Sequence, residues 1–563
     1  SVIAAFAPSP ELLIAARALM GVGGATLLPA SLALIANIFR DPKARGVAMG
    51  VWTAAFSFGM AVGPVIGGVL LHHFWWGSVF LVNAPVFLAF LVAGPLLIPE
   101  FRSGTSTPFD LVILGAGSGG YACALRAAQL GMKVALVEED KIGGTCLHRG
   151  CIPTKALLHA AELADGARAG AAHGILTTFD GVDTAALHAR KDKVVGQLHK
   201  GLTGLIGQAG IEVVAGRGRL VDASTIAVET AEGVRTVSAK TVVLATGSYA
   251  RTLPGVELGP RVMTSDQAMD LGTIPQRVAV LGGGVIGVEF ASMLRSFGAE
   301  VTVVEALDRI VAAEEPSISK HLTREFKKRG ITAKTSTRVA SVEADEHRAV
   351  VHLEGGDALE VDLVLVAVGR GPRSEGIGLV EAGVAVERGF VPTDERLRTN
   401  VEGVRAVGDL VPGLQLAHRG FAHGIFVAED LAGLDPAPVD DVTIPKVTYC
   451  DPEIASVGLS ADAAKGAGRD VETATYPLGG NGRSIIRGTT GSVTLVREKD
   501  GPVLGVHMIG LGVSELISEA QLAVGWEAHP EDIAPLVHAH PSQGEAFGEA
   551  AMLAAGRPLH AHA

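Results

Sequence analysis

Polar positions nearly vanish along the first hundred residues. From Gly46 to Pro99 there is no Asp, Glu, Lys or Arg, and only His72 and His73 can titrate. At about 20 residues per crossing, residues 12–38, 47–71 and 77–98 are expected to be three transmembrane helices, with residues 1–7 the tail of a fourth. The loop with Arg40, Lys43 and Arg45 is basic, whereas that around His72 to Gly77 carries two tryptophans and no Lys or Arg, which orients the basic loop to the cytoplasm. Two crossings later Arg102 lands on the same side, so the chain beyond it is expected to be cytoplasmic. RSGTSTP (Arg102 to Pro108) is a polar linker.

Beyond the linker the period changes. DLVILGAGSGGYACALRAAQLGMKVALVEED opens as a short apolar strand, turns through Gly115, Gly117 and Gly120, runs at helical period to Gly131, and ends a second strand at Glu138. RVAVLGGGVIGVEFASMLRSFGAEVTVVEA repeats it with Gly282, Gly284, Gly287, Gly298 and Glu305. First to last glycine is sixteen residues in both, and first glycine to acid is twenty-three in both. Such a turn lets the backbone approach a pyrophosphate at a helix N-terminus, while the acid accepts a ribose hydroxyl. Two units imply two dinucleotides, and a flavin with a nicotinamide is the natural pair for hydride transfer. Glu305 favours NAD over NADP, because a carboxylate repels a 2′-phosphate; Arg309, four residues on, is the nearest cation to a phosphate there. The turns LATGS (Leu244 to Ser248) and AVGD (Ala406 to Asp409) follow apolar strands and are expected at the ligand side.

Composition narrows the classes. A chain of 563 residues needs several domains. A net charge of -12 with no basic block excludes general nucleic-acid affinity. Four cysteines are too few for a secreted disulfide scaffold, no cleavable signal stands at the start, and Ser1 inside an apolar run points to truncation there.

Cys146 and Cys151 lie five apart in GGTCLHRGCIPTKALLHAAE. Zinc takes closer pairs and four ligands, and Cys123 and Cys450 offer no second pair, so no metal is expected. A structural disulfide is unexpected in the cytoplasm. A catalytic disulfide remains, its thiolate stabilised at a helix N-terminus or by a cation. Lys155, four residues past Cys151, falls on the same helix face. Near the C-terminus VHAHPSQGEAFGEAA holds His538, His540 and Glu545, a proton carrier and a carboxylate able to fix its tautomer; His538 is expected to be structural.

From Phe109 onward these residues resemble the pyridine nucleotide disulfide oxidoreductases, and HAHPS resembles the HAHPT signature of their dihydrolipoyl dehydrogenase branch. The resemblance implies an α/β fold with two Rossmann-like dinucleotide-binding domains and an α+β dimerisation domain, which the three to four transmembrane helices expected from the apolar runs precede. It implies FAD binding by residues 105–255 and 376–440, NAD binding by 256–375, and dimerisation by 441–563. Carried over, Cys146 is the interchange thiol, Cys151 the thiolate against the flavin, Lys155 the lysine near its ring with Glu289 as partner, and His540 and Glu545 the base and its orienting acid. Gly115, Gly117, Gly120, Glu138, Lys155, Thr246, Gly247, Asp409 and Ala417 are implied at FAD, and Gly282, Gly284, Gly287, Glu305 and Gly369 at NAD. IPKVTYCDPEIASVGLS and LGVHMIG resemble the dimerisation domain, which implies a homodimer whose histidine serves the other subunit. The implied partner is a lipoyl-bearing acyltransferase of a 2-oxo acid dehydrogenase complex. His148 and Arg149 differ from the commonest family residues and receive no role. Within the family, an NADP-using glutathione reductase would want cations where Glu305 stands, and the tail GRPLHAHA lacks the extra cysteines of mercuric reductases and of some thioredoxin reductases.

Residues 1–102 resemble the major facilitator superfamily, through Leu13, Arg17, Gly21, Gly23 and Ala25 and through GMAVGPVIGG (Gly59 to Gly68). A transporter binds substrate between two helix bundles, which three or four helices cannot supply. The small residues are expected to pack helices, and the rival reading of the whole chain is a transport or anchoring protein joined to the membrane through residues 1–100.

Overall fold

The computed structural model describes residues 1–21, 31, 42–85, 87–88 and 109–561. Its contacts form two units, Ser1–Gly104 and Thr105–Ala563. In the first unit a helix runs from Pro42 to His73, and its stretch Val47–His73 is long and apolar enough to cross a membrane. Lys43 and Arg45 therefore start this helix, contrary to the basic loop expected from the charge pattern. Proline at the first helical position pre-sets the backbone dihedral, and the Lys, Ala and Arg that follow are good helix formers. Residues 10–21 are also helical, and Ser78–Leu81 makes a single turn. Residues 22–30 and 32–38 of the first expected span, residues 86 and 89–98 of the third, Gly23, Ala25, Arg40, Arg102 and the linker lie outside the described residues. Among the described residues one helix has membrane length.

The second unit is built around three large sheets, with a three-stranded antiparallel sheet of Val339–Ala344, Ala349–Leu353 and Ala358–Val361 and a two-stranded ribbon beside them. Strand β1 (Phe109–Leu114) leads through the first glycine turn into helix α1 (Ser118–Gln129) and back to β2 (Val134–Glu138). The two strands pair in parallel. Leu111, Val112 and Ile113 are fully buried, as expected for a strand covered on both faces, whose sequence is a continuous apolar run. The sheet has the order Glu212–Ala215, β2, β1, Gly233–Leu244, Thr225–Thr230, Arg217–Asp222. The long strand Gly233–Leu244 pairs antiparallel with Thr225–Thr230 over its first half and parallel with β1 over its second. Val404–Ala406, from far along the chain, pairs in parallel with the second half of Gly233–Leu244, on the side opposite β1. Helix α2 (Cys151–Ala169) follows the cysteine loop.

The second repeat gives β3 (Arg277–Leu281), α3 (Val285–Ser296) and β4 (Glu300–Val304) in a five-stranded sheet ordered Ile331–Lys334, β4, β3, Leu363–Val366, Val262–Thr264. All four pairings are parallel. The chain enters and leaves this sheet along an antiparallel ribbon of Ser248–Ala250 with Arg370–Pro372. It then returns to the first sheet and forms helix α4 (Ala417–Leu431). The last sheet is five-stranded and antiparallel, ordered Lys446–Thr448, Glu453–Gly458, Val503–Gly510, Ser492–Glu498, Val471–Pro477. Helix α5 (Glu545–Ala554) closes its core through Phe547 and Ala550.

Candidate active site

The two glycine turns fold alike, and the chemistry follows from three positions in each. Gly115 and Gly282 have φ of +100° and +106°, a conformation open to glycine and strained for other residues. A Cβ on Gly120 or Gly287 would lie 1.9 Å from the carbonyl oxygen of Gly115 or Gly282 respectively, so the helix crosses the turn only without one. At the middle position, Gly117 or Gly284, a Cβ would meet nothing within 4 Å. That open space at the N-terminus of α1 and α3 fits a diphosphate on the helix amides. The acids finish the turns: Glu138 accepts from Ala116 N–H at 2.7 Å and Asp140 N–H at 2.9 Å, and Glu305 accepts from Gly283 N–H at 2.6 Å and Leu307 N–H at 2.8 Å. Arg309 is turned to Ala312 O and Asp308.

The first turn opens on a cavity of about 1110 Å³ lined by Gly115, Gly117, Glu138, Thr246, Gly247, Asp409 and Ala417. Cys146, Cys151 and Lys155 line it too, as do Val285, Ile286 and Glu289 of α3. Gly120, Gly282, Gly284, Gly287, Glu305 and Gly369 are not part of this wall. The cavity thus spans the first glycine turn, the thiols and the first turns of the second repeat's helix. The length of this course fits an elongated dinucleotide.

Cys146 and Cys151 are free thiols, each partly exposed. Cys146 lies in the short helix Gly144–His148, and Cys151 is the first residue of α2. The Cys146 thiol donates to the Cys151 sulfur, which pushes the Cys146 pKa up and draws that of Cys151 down to about 7; Lys155 adds to the second effect and burial opposes it. The end of a helix with its free N–H groups favours the same thiolate. Lys155 Nζ donates to both oxygens of Glu289, each at 2.8 Å, and sits 4.7 Å over the ring of Tyr449. Glu289 is buried and also accepts from Tyr449 N–H at 2.9 Å. One ion pair therefore joins the cysteine helix, the second repeat and the antiparallel domain.

Around the cavity, Asp409 accepts from Ser248 Oγ at 2.5 Å, and Arg370 Nε donates to that hydroxyl at 2.8 Å. Thr246 Oγ1 donates to Arg373 O at 2.6 Å. The buried His423 accepts from Gly408 N–H at 3.3 Å, and burial lowers its pKa to about 4, so a neutral ring holds the AVGD turn. Sequence reasoning gave no site role to Tyr449, although it lies in the IPKVTYC segment, and missed Arg370 and Arg373; all three reach the cavity through long-range packing. Arg149 is ion-paired with Asp140 at 2.8 Å beside the cavity, and His148 packs edge-on against His199.

His540 Nδ1 lies 2.7 Å from Glu545 Oε1, whose other oxygen accepts from Ser542 N–H at 2.7 Å. The His540 ring is largely exposed and is not among the cavity walls of its own chain. With Nδ1 held by the carboxylate, Nε2 is the nitrogen turned outward. His538 is engaged with Glu519 at 2.9 Å.

Comparison with known proteins places this geometry in a class. The family Pyridine nucleotide-disulphide oxidoreductase matches residues 109–424, and its dimerisation domain matches 444–551. The chain belongs to this family and is an FAD- and NAD-dependent disulfide oxidoreductase. Among its relatives, a dihydrolipoyl dehydrogenase of Bacillus subtilis is 40% identical over 81% of this chain and 100% of that protein. One from Chlamydia muridarum is 40% identical over 80% of this chain and 98% of its own length. The solved structure of LpdA from Mycobacterium tuberculosis overlays with a TM-score of 0.74 at 28% identity, covering 78% of this chain and 98% of that one. The Major Facilitator Superfamily matches residues 1–172. The part of that match from residue 109 onward folds as β1, α1, β2 and α2 of the α/β unit.

Proposed function

We propose that this chain is a dihydrolipoyl dehydrogenase acting as a homodimer, oxidising the dihydrolipoyl groups of a lipoyl-bearing acyltransferase in a 2-oxo acid dehydrogenase complex. The observation that carries the reading is the thiol pair in the wall of the dinucleotide cavity, with Cys151 held as the thiolate by Cys146, Lys155 and the helix N-terminus. Residues 105–255 and 376–440 hold FAD, 256–375 hold NAD, and 441–563 form the dimer. Gly115, Gly117, Gly120, Glu138, Thr246, Gly247, Asp409 and Ala417 serve FAD; Gly282, Gly284, Gly287, Glu305 and Gly369 serve NAD.

In the reaction, His540 Nε2 takes the proton of one substrate thiol, and Glu545 stabilises the imidazolium through Nδ1. The substrate sulfur bonds to Cys146 Sγ as the Cys146–Cys151 bond breaks, and Cys151 leaves as the thiolate. The second substrate thiol then displaces Cys146, closing the lipoyl ring and returning a proton to the Cys146 sulfur. Bound FAD and NAD supply the remaining chemistry, removal of the electron pair as hydride to nicotinamide. Lys155, fixed by Glu289, keeps positive charge beside Cys151. The exposure of His540 outside its own cavity supports delivery of this base by the partner subunit.

The test uses the full chain purified in detergent. NADH formation from dihydrolipoamide is expected, and a protein without bound flavin refutes the proposal. Co-expression of Cys146→Ser and His540→Gln chains tests the dimer. Their mixed dimer keeps one intact site if the base crosses subunits and none if it does not. We further propose that residues 1–104 tether the enzyme to a membrane with the catalytic unit on the cytoplasmic side, supported by the helix Val47–His73 and the match of residues 1–172. Recovery of the enzyme in the wash after alkaline extraction of membranes would refute the tether.

A further inference from the structure

The cavity carries a device at the end that holds Glu138. Glu139 and Arg373 both line it, yet each side chain is still more than 40% exposed (43% and 44%), which puts them where the cavity meets solvent. Their side chains meet at 2.6 Å across 234 residues of sequence. Neither end floats. Glu139 directly follows β2 and the ribose-side acid. Arg373 follows the antiparallel ribbon that leaves the second repeat; its N–H donates to Gly247 O at 2.9 Å and its carbonyl accepts from Thr246. The two loops on either side of the opening are thus joined by a chain of bonds from the Thr246 hydroxyl through Arg373 to the Glu139 carboxylate.

We propose that the Arg373–Glu139 ion pair is a latch over the adenosine end of the flavin cavity, one that retains FAD without touching the reacting ring. An exposed pair is weak and is screened by salt, so the latch opens readily for loading and slows escape by a modest factor. The proposal rests on the reading that this cavity holds FAD.

The experiment measures flavin release from the flavin-loaded full chain by recovery of free-flavin fluorescence after dilution into a trap for free FAD. Arg373→Ala and Glu139→Gln are each expected to release FAD about two- to five-fold faster, the range an exposed ion pair supports. The exchanged pair, Glu139→Arg with Arg373→Glu, is expected to return the rate to that of the unaltered chain. Raising ionic strength should quicken release from the unaltered chain and leave the single variants nearly flat. Single variants that release flavin at the unaltered rate overturn the latch while leaving the enzyme assignment intact, and so does an exchanged pair as fast as the singles. A chain that purifies without flavin overturns both.

Discussion

The sharpest quantitative expectation concerns Lys155→Met. Glu289 is 4% exposed in its side chain and takes two 2.8 Å bonds from an ammonium that is itself 33% exposed. Removing one partner of a buried pair typically costs about 3 to 5 kcal/mol, because the other charge is stranded away from water. Two features lower that figure here: solvent already screens the lysine side of the pair, and Tyr449 N–H still bonds Glu289. A loss of about 2 kcal/mol is therefore expected. Glu289→Gln is not its mirror image. It leaves an ammonium free to turn toward solvent and an amide oxygen still available to Tyr449, so below about 1 kcal/mol is expected. The double variant strands no charge and should cost about 1 kcal/mol, against a sum of up to about 3 kcal/mol for the two single changes, a coupling of about 2 kcal/mol. Urea unfolding of the flavin-loaded chain, followed by flavin release, reads all three. Equal costs for the two single changes, or strict additivity in the double, would refute the reasoning that a stranded carboxylate dominates.

Three further outcomes are expected. Reduced Cys151 should titrate near pH 7, well below the ordinary cysteine value of 9.0. Because its folded pKa is depressed, the thiolate and its stabilising contribution are in full force above pH 9 and are lost as pH falls through about 7. Iodoacetamide labelling against pH reads this, and Cys146→Ala, which deletes the donated hydrogen bond, should move the midpoint upward. Gly287→Ala should abolish NADH binding while FAD stays bound, and Gly120→Ala should prevent flavin loading altogether, since each Cβ would fall 1.9 Å from a backbone oxygen of its own turn; tryptophan quenching by NADH and the flavin absorbance separate the two. His540→Gln should lower dihydrolipoamide oxidation by about 10²- to 10⁴-fold, the contribution of a general base, while NADH-driven reduction of an artificial acceptor by the flavin survives. Equal loss in both assays would mean His540 is needed for folding or dimerisation rather than for proton transfer.

Much of the α/β unit was legible in the residues because its decisive features are local. A glycine turn, a helix and an acid lie within about thirty residues, and φ at Gly115 or the space above Gly117 is set by backbone sterics over that span. The cysteine spacing and the His540, Glu545 segment are local in the same sense. The membrane part was less legible, because a charge-free run gives length but not helix starts. Proline at position 42 began the helix upstream of the lipid-length window, taking in two cations expected in a loop.

What the sequence alone determined is the repeated nucleotide turn, the reactive sulfur pair and the acid–base segment, each encoded by neighbours along the chain. Beyond the Lys155–Glu289 pair that the family resemblance implied, the tertiary structure decided who meets whom: Tyr449 over that lysine, Arg373 with Glu139, and an exposed His540 that does not line its own cavity. These depend on how three sheets pack against one another, and packing contacts between distant segments leave no periodic trace in the order of residues.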